Sequence, residues 1–134
     1  MCEKSQSDLL PIMKTKKKIG FIDLFCGIGS FHYSMVANND DHCEFSCIMA
    51  CDIEPIVRET YEANYNVKPL GDVCDIEPND IDTNGYDHVI LCAGFPCQPY
   101  SNIGQHRGLD DERGQLFFQI LKFAPGLRDK LVAE

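Results

Sequence analysis

The chain has 134 residues, 44% of them hydrophobic, with 12 basic against 21 acidic side chains for a formal charge of −9. That length suits a single domain able to bury roughly two-thirds of its unfolded surface, and the charge leaves little basic surface for gripping phosphates. No apolar run approaches the ~18 residues of a membrane span and the amino terminus lacks the apolar segment of a signal peptide, so a soluble, intracellular protein is expected, its eight cysteines being free thiols in a reducing compartment.

Residues 1–18 end in Lys14-Thr15-Lys16-Lys17-Lys18 and read as a flexible polar tail, whose lysines either touch phosphate or keep it soluble. Residues 19–24 then form a short, mostly apolar run that predicts a buried strand. It enters Phe25-Cys26-Gly27-Ile28-Gly29-Ser30-Phe31 and a helix reaching about Ala37. Glycines at a strand-to-helix turn let backbone approach a ligand closely. The third glycine of a full dinucleotide fingerprint is absent, because His32 stands there. A second strand is predicted at 45–51, closing on Asp52. A carboxylate about 20 residues beyond such glycines is placed to hold both ribose hydroxyls of a nucleoside cofactor. Asp23 either supports that site or simply ends its strand. No Gly-x-x-x-x-Gly-Lys-Ser/Thr loop is present, which gives a triphosphate site no support.

Pro55 suits the first turn of a helix over 54–65, and Ile56, Thr60, Tyr61, Ala63 and Tyr65 give it an apolar stripe expected to pack on the sheet. Further strands are predicted near 69–73 and 88–92. Alternating strands and helices predict a parallel α/β sheet with right-handed crossovers. Directly after the last strand comes Gly94-Phe95-Pro96-Cys97-Gln98-Pro99-Tyr100-Ser101. It places a thiol on a proline-stiffened loop at a strand's carboxyl end, where open α/β sheets carry their chemistry and where a nucleophilic cysteine finds access. Cys43, Cys47 and Cys51 recur every four residues without a Cys-x-x-Cys or histidine pair, so no metal site is expected. A helix after Gly114 is expected to stop at Ala124-Pro125-Gly126.

Taken together, Asp-Leu-Phe-Cys-Gly-Ile-Gly-Ser-Phe, Cys-Asp-Ile-Glu-Pro and Gly-Phe-Pro-Cys-Gln-Pro-Tyr-Ser resemble, in that order and spacing, the cytosine-5 DNA methyltransferases. Leu70-Gly71-Asp72-Val73 resembles that family's short third strand, and residues 102–118 resemble its catalytic loop and following helix. The resemblance covers roughly Ile19 to Ile120. Phe95 and Ser101 look more like the DNA-directed members than the relatives that methylate transfer RNA.

The resemblance implies a Rossmann-like parallel sheet of a class I S-adenosylmethionine-dependent methyltransferase, truncated after about four strands. It implies transfer of a methyl group from S-adenosylmethionine to C5 of a flipped-out cytosine in double-stranded DNA, through a covalent adduct at Cys97. By the same resemblance Phe25, Cys26, Gly27, Gly29, Asp52, Ile53, Asp72 and Val73 would form the cofactor cleft, with the Asp72 carboxylate on the adenine amino group. Phe95, Pro96, Gln98, Ser101 and Arg113 would meet the base and its flanking DNA.

The expected organisation is a tail over 1–18, a partial catalytic domain over 19–123 and an atypical tail over 124–134. The family's later Glu-bearing motif, its recognition domain and its closing helix have no counterpart in the sequence. The chain is therefore expected to be a fragment or split subunit, inactive until a complementing polypeptide supplies the missing half. The alternative is an inactive remnant that binds S-adenosylmethionine or a partner chain.

Overall fold

The computed structural model describes residues 15–95 and 112–132. Three parallel strands, β1 (Lys17–Leu24), β2 (Cys43–Cys51) and β3 (His88–Ala93), form one sheet in the order β2-β1-β3. Helix α1 (Ser30–Ala37) follows β1, α2 (Pro55–Tyr65) follows β2, and α3 (Glu112–Val132) comes last. No described helix is long and apolar enough to cross a membrane.

The central strand explains the two faces. Ile22 and Leu24 point to one side, where they join Met49, Cys51, Val73, Ile76, Ile81, Phe123 and Leu127 in an apolar core. Asp23 lies between them in the chain and so, by the two-residue period of a strand, faces the other side. There Cys26, Ala50 and Tyr61 make a smaller buried cluster. The β1–β2 register slips between Phe21 and Ile22, so Ile48 is an extra residue on β2. Such a bulge interrupts alternation. As a result Ile48 and Met49 both pack against the large core, while Cys47 and Ala50 serve the small one.

The expected strand at 69–73 is corrected to a single parallel bridge, Cys51 with Leu70, followed by one tight helical turn over Val73–Asp75. Proline at 69 has no N–H to give a ladder. After Gly71, the Asp72 side chain accepts from the Cys74 N–H (2.9 Å) and starts the turn instead. The expected stop at Pro125 is also corrected, since α3 runs 21 residues with that proline inside it. Proline removes one helical hydrogen bond, but Phe123 and Leu127, on either side, are both held in the core. Burial of those two side chains outweighs the local preference.

α1 and α2 agree with the sequence. Pro55 occupies the first turn of α2, and Tyr61 from its stripe is fully buried. Ile56, from the same stripe, is 67% exposed and plays no part in the core.

Candidate cofactor cleft

The turn after β1 is built from unusual backbone. Phe25 (φ 57°), Gly27 (φ 53°) and Gly29 (φ 94°) are all left-handed. A bulky residue such as Phe25 pays for that conformation, and such cost concentrates at binding sites. At Gly29 a Cβ would run into the Tyr65 ring, whose hydroxyl donates to the Gly29 carbonyl at 3.0 Å. The turn thereby locks onto α2 and aims the Gly27 N–H at Asp52.

Asp52 ends β2 and is the hub of the site. One carboxylate oxygen accepts from the Gly27 N–H and the other from the Glu54 N–H, both at 3.0 Å. An ionised carboxylate has about four acceptor positions, so both oxygens keep capacity for a ligand. The Arg58 guanidinium donates to the carbonyls of Asp52 (2.8 Å) and Ile53 (2.9 Å), fixing the main chain at this corner. Leu70 donates its N–H to Ala50 O, and Asp52 N–H donates to Leu70 O. That pair of bonds carries Asp72 to the cleft opposite Asp52.

The result is a cleft of about 380 Å³, within the usual ~300–1,000 Å³ of small-molecule sites. Phe25, Ile53, Val73 and Leu116 supply apolar walls, while Asp52, Glu54 and Asp72 supply carboxylates. Cys51, Gly71 and Gly94 complete it.

Of the residues expected here, Phe25, Asp52, Ile53, Asp72 and Val73 line the cleft, and Gly27 serves it through its N–H. Gly29 shapes the turn without lining it. The Cys26 side chain instead points into the small core, 5% exposed, and only its main chain serves the turn, the N–H donating to Cys51 O and the carbonyl accepting from the Gly29 N–H, both at 2.9 Å. Phe95 stands half-buried just beyond β3, its ring 5.9 Å from that of Phe117. Arg113 falls in the first turn of α3. Cys97, Pro96, Gln98 and Ser101 lie outside the described residues.

Sequence reasoning passed over Glu54, Arg58, Gly94 and Leu116. Glu54 and Arg58 left a signal as charged residues flanking a helix start just after the strand-end Asp52, and Gly94 and Leu116 fell inside stretches read for other roles. Leu116 is distant in sequence and reaches the cleft only because α3 folds over the sheet.

Four of the described thiols, Cys26, Cys47, Cys51 and Cys92, sit in or against the packed interior. Burial pushes Cys26 up to about 12 and Cys47 and Cys51 up to about 11, and it raises Cys92 as well. Such thiols are poor nucleophiles. Cys47 and Cys51 also serve opposite faces of the sheet, and no described group of three His, Cys, Asp or Glu side chains is arranged to hold a metal.

The family model described as C-5 cytosine-specific DNA methylase matches residues 19–131. The chain belongs to that family. It is 37% identical over 122 residues to the type II methyltransferase M.HhaI of Haemophilus parahaemolyticus, a stretch covering 90% of this chain and 35% of that protein. It is 39% identical over 114 residues to M.BsuFI of Bacillus subtilis, covering 85% of this chain and 26% of that one. Among solved structures it resembles the S. pombe Dnmt2 methyltransferase, with TM-score 0.57 and 28% identity over 79% of this chain and 31% of that chain. The fold is thus the Rossmann-like α/β fold of class I methyltransferases, and the chain spans about a third or less of these relatives' lengths.

Proposed function

We propose that the cleft binds S-adenosylmethionine and that the chain takes part in methyl transfer to C5 of cytosine in DNA, with Cys97 as nucleophile. The observation that carries this reading is the Gly27–Asp52 hydrogen bond. In a phosphate-binding turn the glycine N–H groups face an anionic ligand. Here the Gly27 N–H is already committed to a carboxylate, and Glu54 and Asp72 add further negative charge. A pyrophosphate would be repelled. A ligand with ribose hydroxyls, an amino-bearing base and a positive charge fits this donor and acceptor set.

Asp52 would accept the ribose hydroxyls and Asp72 the adenine amino group, using its oxygen not spent on Cys74. Phe25, Ile53 and Val73 would hold the base between apolar surfaces. When bound, S-adenosylmethionine supplies an electrophilic methyl group on a cationic sulfur. The target cytosine must leave the duplex stack to be reached, and Phe95 and Pro96 would shape its pocket while Gln98, Ser101 and Arg113 meet the DNA. The Cys97 thiolate would add to C6, which makes C5 electron-rich enough to form the new carbon–carbon bond. Loss of the C5 proton then lets the C6–sulfur bond break and restores aromaticity, a division of one hard step into easier ones. The raised thiols of Cys26, Cys47, Cys51 and Cys92 support leaving this role to Cys97.

Since the chain spans 35% of the M.HhaI length, we propose that turnover also needs a polypeptide carrying the remaining part of a relative's catalytic domain. The test is methyl transfer from labelled S-adenosylmethionine to a cytosine-containing duplex, with and without such a polypeptide. Transfer that appears only on complementation and vanishes in Cys97→Ser is expected. Cofactor binding without transfer under any complementation would instead mark a binding protein, a role that the −9 charge suits. Transfer surviving Cys97→Ser would remove the nucleophile assignment.

A further inference from the structure

Beneath the glycine turn lies a buried polar chain that the cleft itself does not use. His32 Nδ1 is 2.8 Å from the Tyr61 hydroxyl, which donates to Asp23 Oδ2 at 3.2 Å. With that hydroxyl proton directed at Asp23, His32 serves as the Nδ1–H donor to the tyrosine oxygen. Asp23 and Tyr61 are 0% exposed and His32 7%. Asp23 Oδ1 makes no hydrogen bond among the described residues. A buried carboxyl with one oxygen unpartnered is a costly feature, and in a native fold it asks for a reason.

Its position supplies one. Asp23 stands two residues before Phe25, where the left-handed turn begins, His32 is in α1 directly after that turn, and Tyr61 is in α2, which starts just beyond Asp52. The His32 ring also stacks on Tyr65 with centroids 4.0 Å apart, and Tyr65 holds the Gly29 carbonyl. One chain of contacts therefore ties together the three elements that present Gly27 and Asp52 to each other.

We propose that Asp23 is a positioning residue for the cofactor cleft, acting through Tyr61 and His32 to hold the glycine turn against the start of α2 so that the Gly27 N–H and the Asp52 carboxylate converge; this rests on the cofactor reading above. An ionised Asp23 is a stronger acceptor for the tyrosine hydroxyl than a neutral one. Burial, helped by the charge of Asp52, pushes Asp23 up to about 6 although the Tyr61 hydroxyl and the His32 main-chain N–H oppose the shift. The anchor therefore tightens as pH rises through that value. The other titratable groups around it are Asp52, Cys47 and Cys51 from β2, Cys26 from the turn, Cys92 from β3, His32 from α1 and Tyr61 from α2. Burial raises those four thiols and the tyrosine and lowers His32, so the thiols, Tyr61 and His32 all stay neutral near pH 7.

The experiment compares the full chain with Asp23→Asn and the milder Tyr61→Phe, which deletes one hydroxyl and keeps the ring. Calorimetry with S-adenosylmethionine at pH 8 should show both variants binding roughly three- to ten-fold more weakly, the equivalent of one hydrogen bond, with circular dichroism and melting showing an intact fold. The parent's affinity should fall toward that of Asp23→Asn as pH drops through about 6, whereas Asp23→Asn should vary less over the same range. His32→Asn, which keeps a donor but removes the other titrating group, should retain the parent's pH dependence. Amide hydrogen exchange provides a readout without ligand: Gly27 should exchange roughly three- to ten-fold faster in Asp23→Asn and in Tyr61→Phe. Equal Gly27 exchange in parent and both variants overturns the proposal, as does pH dependence that disappears with His32→Asn. If the parent binds no S-adenosylmethionine at any pH, the cofactor reading fails, and Gly27 exchange alone decides this one.

Discussion

The two faces of the sheet do different work. On one, Ile22, Leu24, Met49, Phe123 and Leu127 form an apolar core without a charged member. On the other, α1 and α2 cover a smaller cluster in which Asp23, His32, Tyr61 and several thiols are buried side by side. Apolar burial is what stabilises a small domain, so the first face holds the fold together. The second carries polar groups that cost stability and lie directly behind the candidate cleft. The second face can therefore be altered without touching the large core, whereas Cys51 and Val73 belong to both the core and the cleft lining.

Phe123→Ala is the strongest way to sharpen that contrast. The ring is fully buried, and such truncations cost about 3–5 kcal/mol, a large share of a domain's usual ~5–15 kcal/mol. Urea or thermal denaturation should find its unfolding midpoint strongly lowered. Retention of parental stability would mean that α3 is not part of the core.

Asp23→Asn tests the opposite face. The folded-state pKa of about 6 lies above the ordinary 3.8, so the folded state holds its proton more tightly than the unfolded chain does. The stability this contributes is fully present below about pH 4 and lost as pH rises through about 6. Holding the proton to about pH 6 in place of 3.8 is worth on the order of 3 kcal/mol. Relative to Asp23→Asn, the parent should lose about that much between pH 4 and pH 8, measured by denaturation at each pH. A parallel pair of stability profiles would break the contrast. A variant more stable at pH 8 yet weaker in cofactor binding would show stability given up for the site.

Asp52→Ala should leave the apolar core untouched and weaken S-adenosylmethionine binding by roughly 1–3 kcal/mol, through loss of charge-assisted hydrogen bonds. Equal affinity by calorimetry would remove Asp52 from the site. Ile53→Ala should have the smallest effect on folding. With 64% of its surface exposed, its removal should change stability by less than about 0.5 kcal/mol while still lowering cofactor affinity. A large loss of stability there would mean that the cleft wall is also core.

Local pattern was enough to read much of this molecule. An apolar run closed by Phe25-Cys26-Gly27-Ile28-Gly29 located β1 and its turn, Pro55 located the start of α2, and Asp52 at a strand end located the hub of the cleft. These are effects between neighbours in the chain, such as glycine's freedom, proline's fixed φ and the two-residue strand period, and the sequence carries them directly. The order and spacing of the motifs also pointed to the methylase family.

Tertiary structure decided the rest, because those features depend on groups distant in the chain. The segment from Leu70 to Asp75 became a bridge and a helical turn because Pro69 cannot extend a ladder and the Asp72 side chain caps the Cys74 N–H. Pro125 stayed inside α3 because the core holds Phe123 and Leu127 on either side. The bulge at Ile48 chose which β2 side chains serve which face, and Cys26 turned away from the cleft to pack near Tyr61. Asp23 looked like any strand-end carboxylate until α1 and α2 closed over it, and only that burial, with the Tyr61 hydroxyl brought from 38 positions away, made its ionisation matter.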